Sequence, residues 1–203
     1  MTRIISGSAR GRRLAVPPGT STRPTSDRAR EALFSTVESM LRSFAGARVL
    51  DLYAGSGAVG LEALSRGADH VLLVESDAGA ARTIRDNATK TGLVGAEVRA
   101  ERAERLMAGG APSSPYDVVF LDPPYDVADD AVREVISDLL DGGWLAGRAL
   151  VVVERASRGA PWSWPAGIEG DRSRRYGEAT LWYGRAAQKQ PAQDAIGDPA
   201  SER

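Results

Sequence analysis

One four-residue segment, Asp122-Pro123-Pro124-Tyr125, combines residue types that suit chemistry on an amine. Two consecutive prolines fix φ and remove two N–H donors, so the segment is rigid and its carbonyl groups face no competing donor. The Asp122 carboxylate and the Pro123 carbonyl can accept both hydrogens of an exocyclic amine and direct its lone pair at a methyl group. Tyr125 offers a flat face on which an extruded base can stack. The segment predicts methylation of a nucleobase, with Asp122, Pro123 and Tyr125 as catalytic residues. The alternative is a proline-terminated strand with an aromatic core residue.

A glycine-rich turn precedes this segment in the chain. Gly55-Ser56-Gly57-Ala58-Val59-Gly60 follows a predicted strand that ends at Tyr53 and opens a predicted helix. Glycines at such a turn permit positive φ and let a ligand approach the backbone. Glu75, which ends the next predicted strand, is placed where a carboxylate can accept both ribose hydroxyls. The pattern predicts a nucleotide-like cofactor.

The same pattern serves NAD, FAD and S-adenosylmethionine, and two features favour the last. Asp51 precedes the glycines, where a carboxylate suits a cationic amino-acid moiety better than a pyrophosphate. A nicotinamide enzyme normally adds a substrate domain, and the 203 residues leave no room for one.

Alternating strands and helices must position these motifs. Nearly continuous apolar runs predict strands that are covered on both faces, so the fold class is α/β, a doubly wound Rossmann-like sheet. Predicted strands span 48–52, 70–75, 97–99, 116–121 and 149–154, followed by an antiparallel pair at 172–176 and 179–183. Predicted helices begin near residue 26 and span 59–65, 78–91 and 128–140.

Composition excludes several other kinds of chemistry. With no Cys, disulfides and thiolate catalysis are excluded, and a single His disfavours a His-based metal site or a Ser-His-Asp triad, so we expect no metal. Neither a secretory signal nor a membrane span is recognisable, which predicts a cytoplasmic protein. We divide the chain into an N-terminal basic hairpin (1–24), a catalytic domain (25–186) and a disordered tail (187–203).

The N-terminal segment is strongly basic. Residues 1–30 hold seven Arg and one acid, the charge pattern of a nucleic-acid-binding arm. Arg10, Arg12, Arg13 and Arg23 are predicted to bind phosphate, with a solvated basic loop as the alternative. Arg28, also a predicted RNA contact, and Arg30 are expected on the exposed surface of a helix.

At these residues the chain resembles a known family. Residues 51–60 and 122–125 resemble motifs I and IV of class I S-adenosylmethionine-dependent methyltransferases that act on nucleobase amino groups. Segments 3–12, 23–31 and 61–67 resemble the RsmD family, bacterial enzymes that methylate N2 of one guanine in small-subunit ribosomal RNA. The resemblance covers about residues 3–183.

The resemblance implies a fold, a partner and further site residues. It implies a seven-stranded sheet of order 3-2-1-4-5-7-6 with an antiparallel last strand, and a monomer acting on guanine 966 of 16S rRNA within the small subunit or its assembly intermediate. Its product would be S-adenosylhomocysteine. The implied cofactor contacts are Asp51, Tyr53, Gly55, Ser56, Gly57, Glu75, Asp122 and the backbone N–H of Ala103. Arg102 stands where relatives often have an Asp, so Glu101 is the candidate acidic contact to adenine.

Other functions and other residues were weighed against this assignment. A DNA adenine-N6 methyltransferase would use the same segment, but a separate target-recognition domain is lacking. A nucleotide-dependent oxidoreductase and a catalytically silent RNA-binding protein are the alternatives from other classes. Trp162 and Trp164 are predicted to pack at a sheet edge rather than to stack bases. His70 is predicted to be structural, and Asp129-Asp130 to begin a helix.

Overall fold

A seven-stranded sheet forms the centre of the molecule, and a short hairpin precedes it. The computed structural model describes residues 2–17 and 27–188, so Arg23 and nearly all of the predicted tail lie outside the described residues. The strands of the sheet are β3 (Arg48–Leu52), β4 (His70–Val74), β5 (Ala96–Arg99), β6 (Tyr116–Leu121), β7 (Leu145–Ala156), β8 (Ile168–Tyr176) and β9 (Ala179–Ala186).

The strand order is the one that the family resemblance implied. The sheet runs β5-β4-β3-β6-β7-β9-β8, which is 3-2-1-4-5-7-6 when its strands alone are counted. Five neighbouring strands are parallel, and β9 is antiparallel to both of its neighbours. The interior strands β3, β4 and β6 are buried along almost their whole length because helices cover both faces.

Five helices supply the two outer layers. They are α1 (Asp27–Leu41), α2 (Ala58–Ser65), α3 (Ala78–Thr91), α4 (Ala103–Ala108) and α5 (Asp129–Asp141). The first three pack on one face of the sheet, and α4 and α5 pack on the other. Among residues 2–17 and 27–188, no helix is long and apolar enough to cross a membrane.

Two elements differ from the sequence-based expectation. Helix α4 was not predicted because its six residues are too short for a helical period to show. Strand β7 begins four residues earlier than expected, at Leu145. Its first half contains exposed residues, a positive φ at Arg148 and an irregular register against β6, so the continuous apolar run that predicts a strand begins only at Ala149.

Buried polar side chains fasten the N-terminal hairpin to the sheet domain. The hairpin consists of β1 (Thr2–Arg3) and β2 (Arg13–Leu14), shorter than predicted. The fully buried Glu62 accepts hydrogen bonds from the backbone N–H groups of Ile5 (2.7 Å) and Ser6 (2.9 Å). A Cβ on Gly7 would lie 1.7 Å from the Ser65 carbonyl oxygen, so only glycine permits this close approach.

The expectation that Arg30 lies on the helix surface is wrong. Its side chain is 1% exposed, and its guanidinium donates to Thr2 Oγ1 (2.8 Å), to the Arg3 carbonyl and to Asp27 (3.0 Å). The hairpin covers the first turn of α1 and turns a surface position into a buried one. Helical periodicity cannot show this, because it concerns only contacts with the sheet.

One asparagine joins the hairpin to the glycine-rich turn. Asn87 of α3 is fully buried and accepts a hydrogen bond from the Ala15 N–H (2.9 Å). Its Nδ2 donates to the carbonyl groups of Ala15 and Ser56, both at 2.9 Å. The chain just after β2 therefore lies beside the glycine-rich turn, while the tip of the hairpin lies at the C-terminal ends of α2 and α3.

Glu62→Ala is expected to destabilise the protein by about 3 kcal/mol, because it leaves two backbone donors and the Arg66 guanidinium without their buried acceptor. Glu38→Ala is the matched control, since Glu38 also pairs with Arg66 (3.2 Å) but is partly exposed. That variant should lose less than about 1 kcal/mol. Chemical denaturation measures both, and equal losses would contradict a clamp at Glu62.

Candidate active site

The predicted site residues meet at one edge of the sheet. Strands β3, β4 and β6 are parallel, so the turns that follow them lie at the same edge. The chain passes from β3 to β4 on one side, while β6 lies on the other side of β3. In an open α/β sheet a ligand crevice forms at such a switch point. Asp51, Gly55, Glu75 and Asp122 all lie at this edge, as predicted.

The three glycines of the turn have different roles. A Cβ on Gly57 would lie 2.9 Å from an Ile84 methyl group, and one on Gly60 would lie 2.7 Å from a Leu73 methyl group. Both glycines therefore allow α2 to pack closely. A Cβ on Gly55, which has φ 57°, would meet nothing within 4 Å. Gly55 is the glycine that faces open space, where a ligand can approach its backbone.

Glu75 fixes the conformation of the turn. One carboxylate oxygen accepts the Gly55 N–H (2.9 Å) and the other accepts the Asp77 N–H (2.8 Å). A carboxylate offers about four acceptor positions, and the third bond here is a long one from the exposed Ser76 hydroxyl (3.4 Å), which a ribose hydroxyl can replace. The predicted cofactor role of Glu75 fits this geometry.

Asp51 is a buried carboxyl group beside the turn. It is 3% exposed, and its Oδ2 accepts the Gly60 N–H at 2.8 Å. Burial, opposed by the Gly60 hydrogen bond and assisted by the nearby Glu75 carboxylate, raises the pKa of Asp51 to about 7. A cationic group placed here would stabilise the ionised form. Asp51 therefore fits the amino-acid moiety of S-adenosylmethionine.

The Asp-Pro-Pro-Tyr segment begins directly after β6. Pro123 is buried, while Asp122 opens to solvent and Tyr125 is 55% exposed. The exposure of Tyr125 excludes the alternative in which this ring is part of the core. A hydrogen bond from the Val127 N–H to the Pro124 carbonyl (3.0 Å) closes the turn.

Other carboxyl groups surround Asp122. Leu121 lies opposite Val153 in the β6–β7 register, so the next residues along the two chains, Asp122 and Glu154, lie side by side. The surrounding protein raises the pKa of Asp122 well above its usual range, and the carboxylates of Glu154 and Asp51 add to this, whereas Arg155 lowers it. Sequence reasoning missed Glu154 and Arg155. Their position at the end of a predicted strand next to that of Asp122 was the available signal.

Three further residues predicted to contact the cofactor lie at the rim or under the turn. Tyr53 has φ 63° and a buried hydroxyl with no hydrogen-bond partner among the described residues. Ala103 begins α4, where the first backbone N–H groups lack intrahelical acceptors. Glu101 is half-buried just before that helix. The roles of these residues, and those of Ser56 and Gly57, stay predictions.

The basic residues predicted to bind RNA are exposed where the structure describes them. Arg10, Arg12, Arg13 and Arg28 are exposed, and Arg12 donates to the Lys90 carbonyl (2.9 Å). Arg10 and Arg28 line a groove of about 590 Å³ between the hairpin and α1. Its other charged residues are Arg3, Arg66, Asp27, Glu31 and Glu38, so the groove carries both signs of charge.

The two tryptophans pack at the sheet edge, which confirms their predicted role. Trp162 is buried and meets Trp164 edge to face, with ring centroids 5.8 Å apart. Trp164 lies over Gly170 and Gly184, where a Cβ would come within 2.9 Å of its ring. His70 begins β4 at the opposite edge of the sheet from the site, and Asp129 and Asp130 occupy the first turn of α5.

Comparison with known proteins identifies the family. The family model described as conserved hypothetical protein 95 matches residues 2–185. Ribosomal RNA small subunit methyltransferase D of Escherichia coli K12 is 40% identical over 152 residues, which cover 75% of this chain and 73% of that protein. The chain belongs to the RsmD family. RsmD membership makes it a methyltransferase and removes the oxidoreductase alternative.

Other relatives agree with the RsmD assignment. A putative rRNA methyltransferase of Bacillus subtilis is 44% identical over 125 residues, 61% of this chain and 66% of that protein. The solved structure of a putative methyltransferase from Escherichia coli has a TM-score of 0.79 and 36% identity, covering 93% of this chain and 99% of that one. Magnesium protoporphyrin IX methyltransferase from Synechocystis, solved with bound S-adenosylmethionine, is 16% identical with a TM-score of 0.59 over 78% of this chain and 79% of that one, and shares the fold. The predicted α/β methyltransferase fold is confirmed.

Asp51→Asn is expected to flatten the pH dependence of stability. Because the folded-state pKa of about 7 lies above the ordinary 3.8, the folded wild type loses stability as pH rises from about 4 through 7. Asn keeps an acceptor for the Gly60 N–H and does not ionise. The variant should gain up to about 2 kcal/mol relative to wild type between pH 5 and pH 7, and nothing more above that.

Thermal denaturation at pH 5, 6, 7 and 8 measures this difference. Asp77→Asn is the control, because Asp77 also accepts a backbone N–H (2.7 Å, from Ala80) but is exposed to solvent. The control is expected to follow wild type across the series. A constant difference between Asp51→Asn and wild type at every pH would refute the assignment.

Proposed function

We propose that this chain transfers a methyl group from S-adenosylmethionine to the exocyclic N2 of a guanine in 16S rRNA, the guanine at position 966. The observation that carries the proposal is the exposed Tyr125 beside Asp122 and Pro123, at the same sheet edge as Asp51, Gly55 and Glu75. The names of the RsmD relatives, which are small-subunit ribosomal RNA methyltransferases, support the substrate.

The residues around the glycine-rich turn suit the methyl donor. S-adenosylmethionine, when bound, supplies an electrophilic methyl group on a sulfonium centre. Asp51 would accept hydrogen bonds from its cationic amine, and Glu75 would accept them from the ribose hydroxyls. The open space beside Gly55 would let the cofactor lie against the backbone of the turn. The Ala103 N–H and Glu101 are left to recognise the adenine, beside Tyr53.

Asp122 and Pro123 prepare the acceptor amine. An exocyclic amine is a poor nucleophile because its lone pair is delocalised into the ring. When the Asp122 carboxylate and the Pro123 carbonyl accept its two hydrogens, the nitrogen becomes pyramidal and its lone pair points at the methyl group. Tyr125 stacks on the extruded base and holds it in this orientation. Proximity and orientation then supply most of the rate.

The basic hairpin holds the RNA outside this site. Asn87 joins Ala15, just after β2, to the Ser56 carbonyl. The tip that carries Arg10 and Arg12 lies instead at the C-terminal ends of α2 and α3, so phosphates bound there would extend the RNA contact away from the glycine-rich turn. Arg28 extends the same basic surface, and Arg23, which lies outside the described residues, is also predicted to bind phosphate. Phosphate contacts orient the RNA without reading its sequence.

The remaining expectations follow from this substrate. A small-subunit or assembly-intermediate substrate places the protein in the cytoplasm, and we expect it to act as a monomer.

The product of the reaction tests the acceptor atom. Purified protein, labelled S-adenosylmethionine and small ribosomal subunits that lack the modification are expected to yield labelled N2-methylguanosine after digestion to nucleosides. Labelled methyladenosine would move the acceptor to the adenine amine that the same segment accommodates. No label on subunits, naked ribosomal RNA or DNA would overturn the proposal.

Asp122→Ala is expected to reduce single-turnover methyl transfer at least about 100-fold, since it removes one of the two acceptors that orient the amine. Equilibrium binding of S-adenosylmethionine should change little. Asp126→Ala, which removes an exposed carboxylate from the same turn, is the matched control and should keep the wild-type rate. Unchanged transfer by Asp122→Ala would remove Asp122 from the catalytic role.

A further inference from the structure

We propose that Arg155 is a positioning residue for methyl transfer, which fastens the turn after Asp-Pro-Pro-Tyr and supplies the positive charge beside the Asp122 carboxylate. The inference rests on the proposed function. Arg155 contacts neither the acceptor base nor the methyl donor; it acts through the turn and through Asp122.

The hydrogen bonds of Arg155 fix the turn from below. Its Nη2 donates to the Val127 carbonyl at 2.6 Å, and its Nε donates to Asp129 Oδ1 at 2.7 Å. Val127 in turn donates its N–H to the Pro124 carbonyl, within the catalytic segment. One side chain from β7 therefore connects this segment to the first turn of α5.

The charge of Arg155 is only partly balanced by its ion pair. The Arg155 side chain is 11% exposed, whereas the Asp129 side chain is 40% exposed, so water screens the acid more than the guanidinium. The Nη1 group of Arg155 is buried and has no hydrogen-bond partner among the described residues. The positive charge remains effective toward neighbours above it, which include Asp122, Tyr125 and Tyr53.

Asp122 needs this charge because its other neighbours are acidic. Asp51 from β3 and Glu154 from β7 both disfavour an ionised Asp122, and Arg155 is the cation among the described groups that act on it. A protonated Asp122 would keep an acceptor oxygen but lose the negative charge, so its hydrogen bond to the amine and its hold on the amine orientation would be weaker. Further charged or titratable groups near the turn are Tyr125, Asp129, Glu178, Glu104 and Glu75.

A neighbouring arginine provides a matched comparison. Arg133 of α5 also pairs with an aspartate of the same first helical turn, Asp130, and its guanidinium lies over the Trp162 ring at 5.6 Å. Arg133 does not donate to the Val127 carbonyl, and it is not among the groups that shift the pKa of Asp122. Arg155 and Arg133 thus separate the effect of an arginine–aspartate pair at α5 from the effect of charge beneath the catalytic segment.

The experiment is a pH profile of single-turnover methyl transfer to unmodified small subunits. In wild type the rate should rise with pH as Asp122 ionises. Arg155→Met is expected to move this rise to higher pH, by about one unit, so that the rate falls about tenfold at pH values below the rise and recovers above it. Binding of S-adenosylmethionine and the melting temperature are measured in parallel to confirm that the variant is folded.

Two further variants separate charge from hydrogen bonding. Arg155→Lys keeps the charge but has one nitrogen for two acceptors, so its pH profile should stay near that of wild type with a small loss at every pH. Arg133→Met should behave as wild type. An Arg155→Met rate that is not reduced at any pH would overturn the inference, and a rate reduced equally at every pH would overturn the role of the charge. Absence of transfer by wild type would instead overturn the proposed function.

Discussion

Three carboxyl groups on adjacent strands set the main electrostatic constraint of this molecule. Asp51 lies near the end of β3, Asp122 follows β6 and Glu154 lies near the end of β7, and the registers of these strands bring the three together at one edge of the sheet. Burial raises the pKa of both Asp51 and Asp122, and neighbouring carboxylates add to it, Glu75 for Asp51 and Glu154 with Asp51 for Asp122. Two neighbouring groups oppose these shifts: the Gly60 N–H binds Asp51, and Arg155, which holds the turn after Asp122, lowers the pKa of Asp122.

The constraint has a chemical use in the proposed reaction. A row of acids attracts a cationic methyl donor and provides an acceptor for the hydrogens of an amine, both without a metal or a strong general base. Binding of a cation next to Asp51 would relieve part of the repulsion, so the donor and the ionised form of the site stabilise each other. Relief of the repulsion among these carboxylates thus contributes to the free energy of binding a cationic donor.

Buried polar side chains connect this site to the hairpin. Glu62 and Arg30 hold the hairpin on α2 and α1, and Asn87 holds the chain just after β2 against the glycine-rich turn. Each of these side chains has low exposure, so loss of one bond leaves a buried polar group without a partner. The basic arm is therefore not a loosely attached extension; residues 2–17 are part of the same packed unit as the catalytic crevice.

Sequence alone determined the fold class and most of the site, because these depend on local patterns. Continuous apolar strands predicted the parallel sheet, glycine spacing predicted the turn, and the Asp122 segment predicted the chemistry before any neighbour was known. Because parallel strands bring their carboxyl ends to one edge, Asp51, Glu75 and Asp122 could be placed together. The resemblance to the RsmD family added the strand order, which local patterns do not contain.

Only the tertiary structure decided which polar residues are buried and what they bind. Arg30 has the sequence context of a surface residue, and it is buried because a distant hairpin covers it. Gly55 and Gly57 look equivalent in the motif, but neighbours from α3 and β4 occupy the space beside Gly57 and leave the space beside Gly55 open. Arg155 acts on Asp122 through the pairing of β6 with β7. These roles come from contacts between residues far apart in the chain, and a linear pattern cannot encode them.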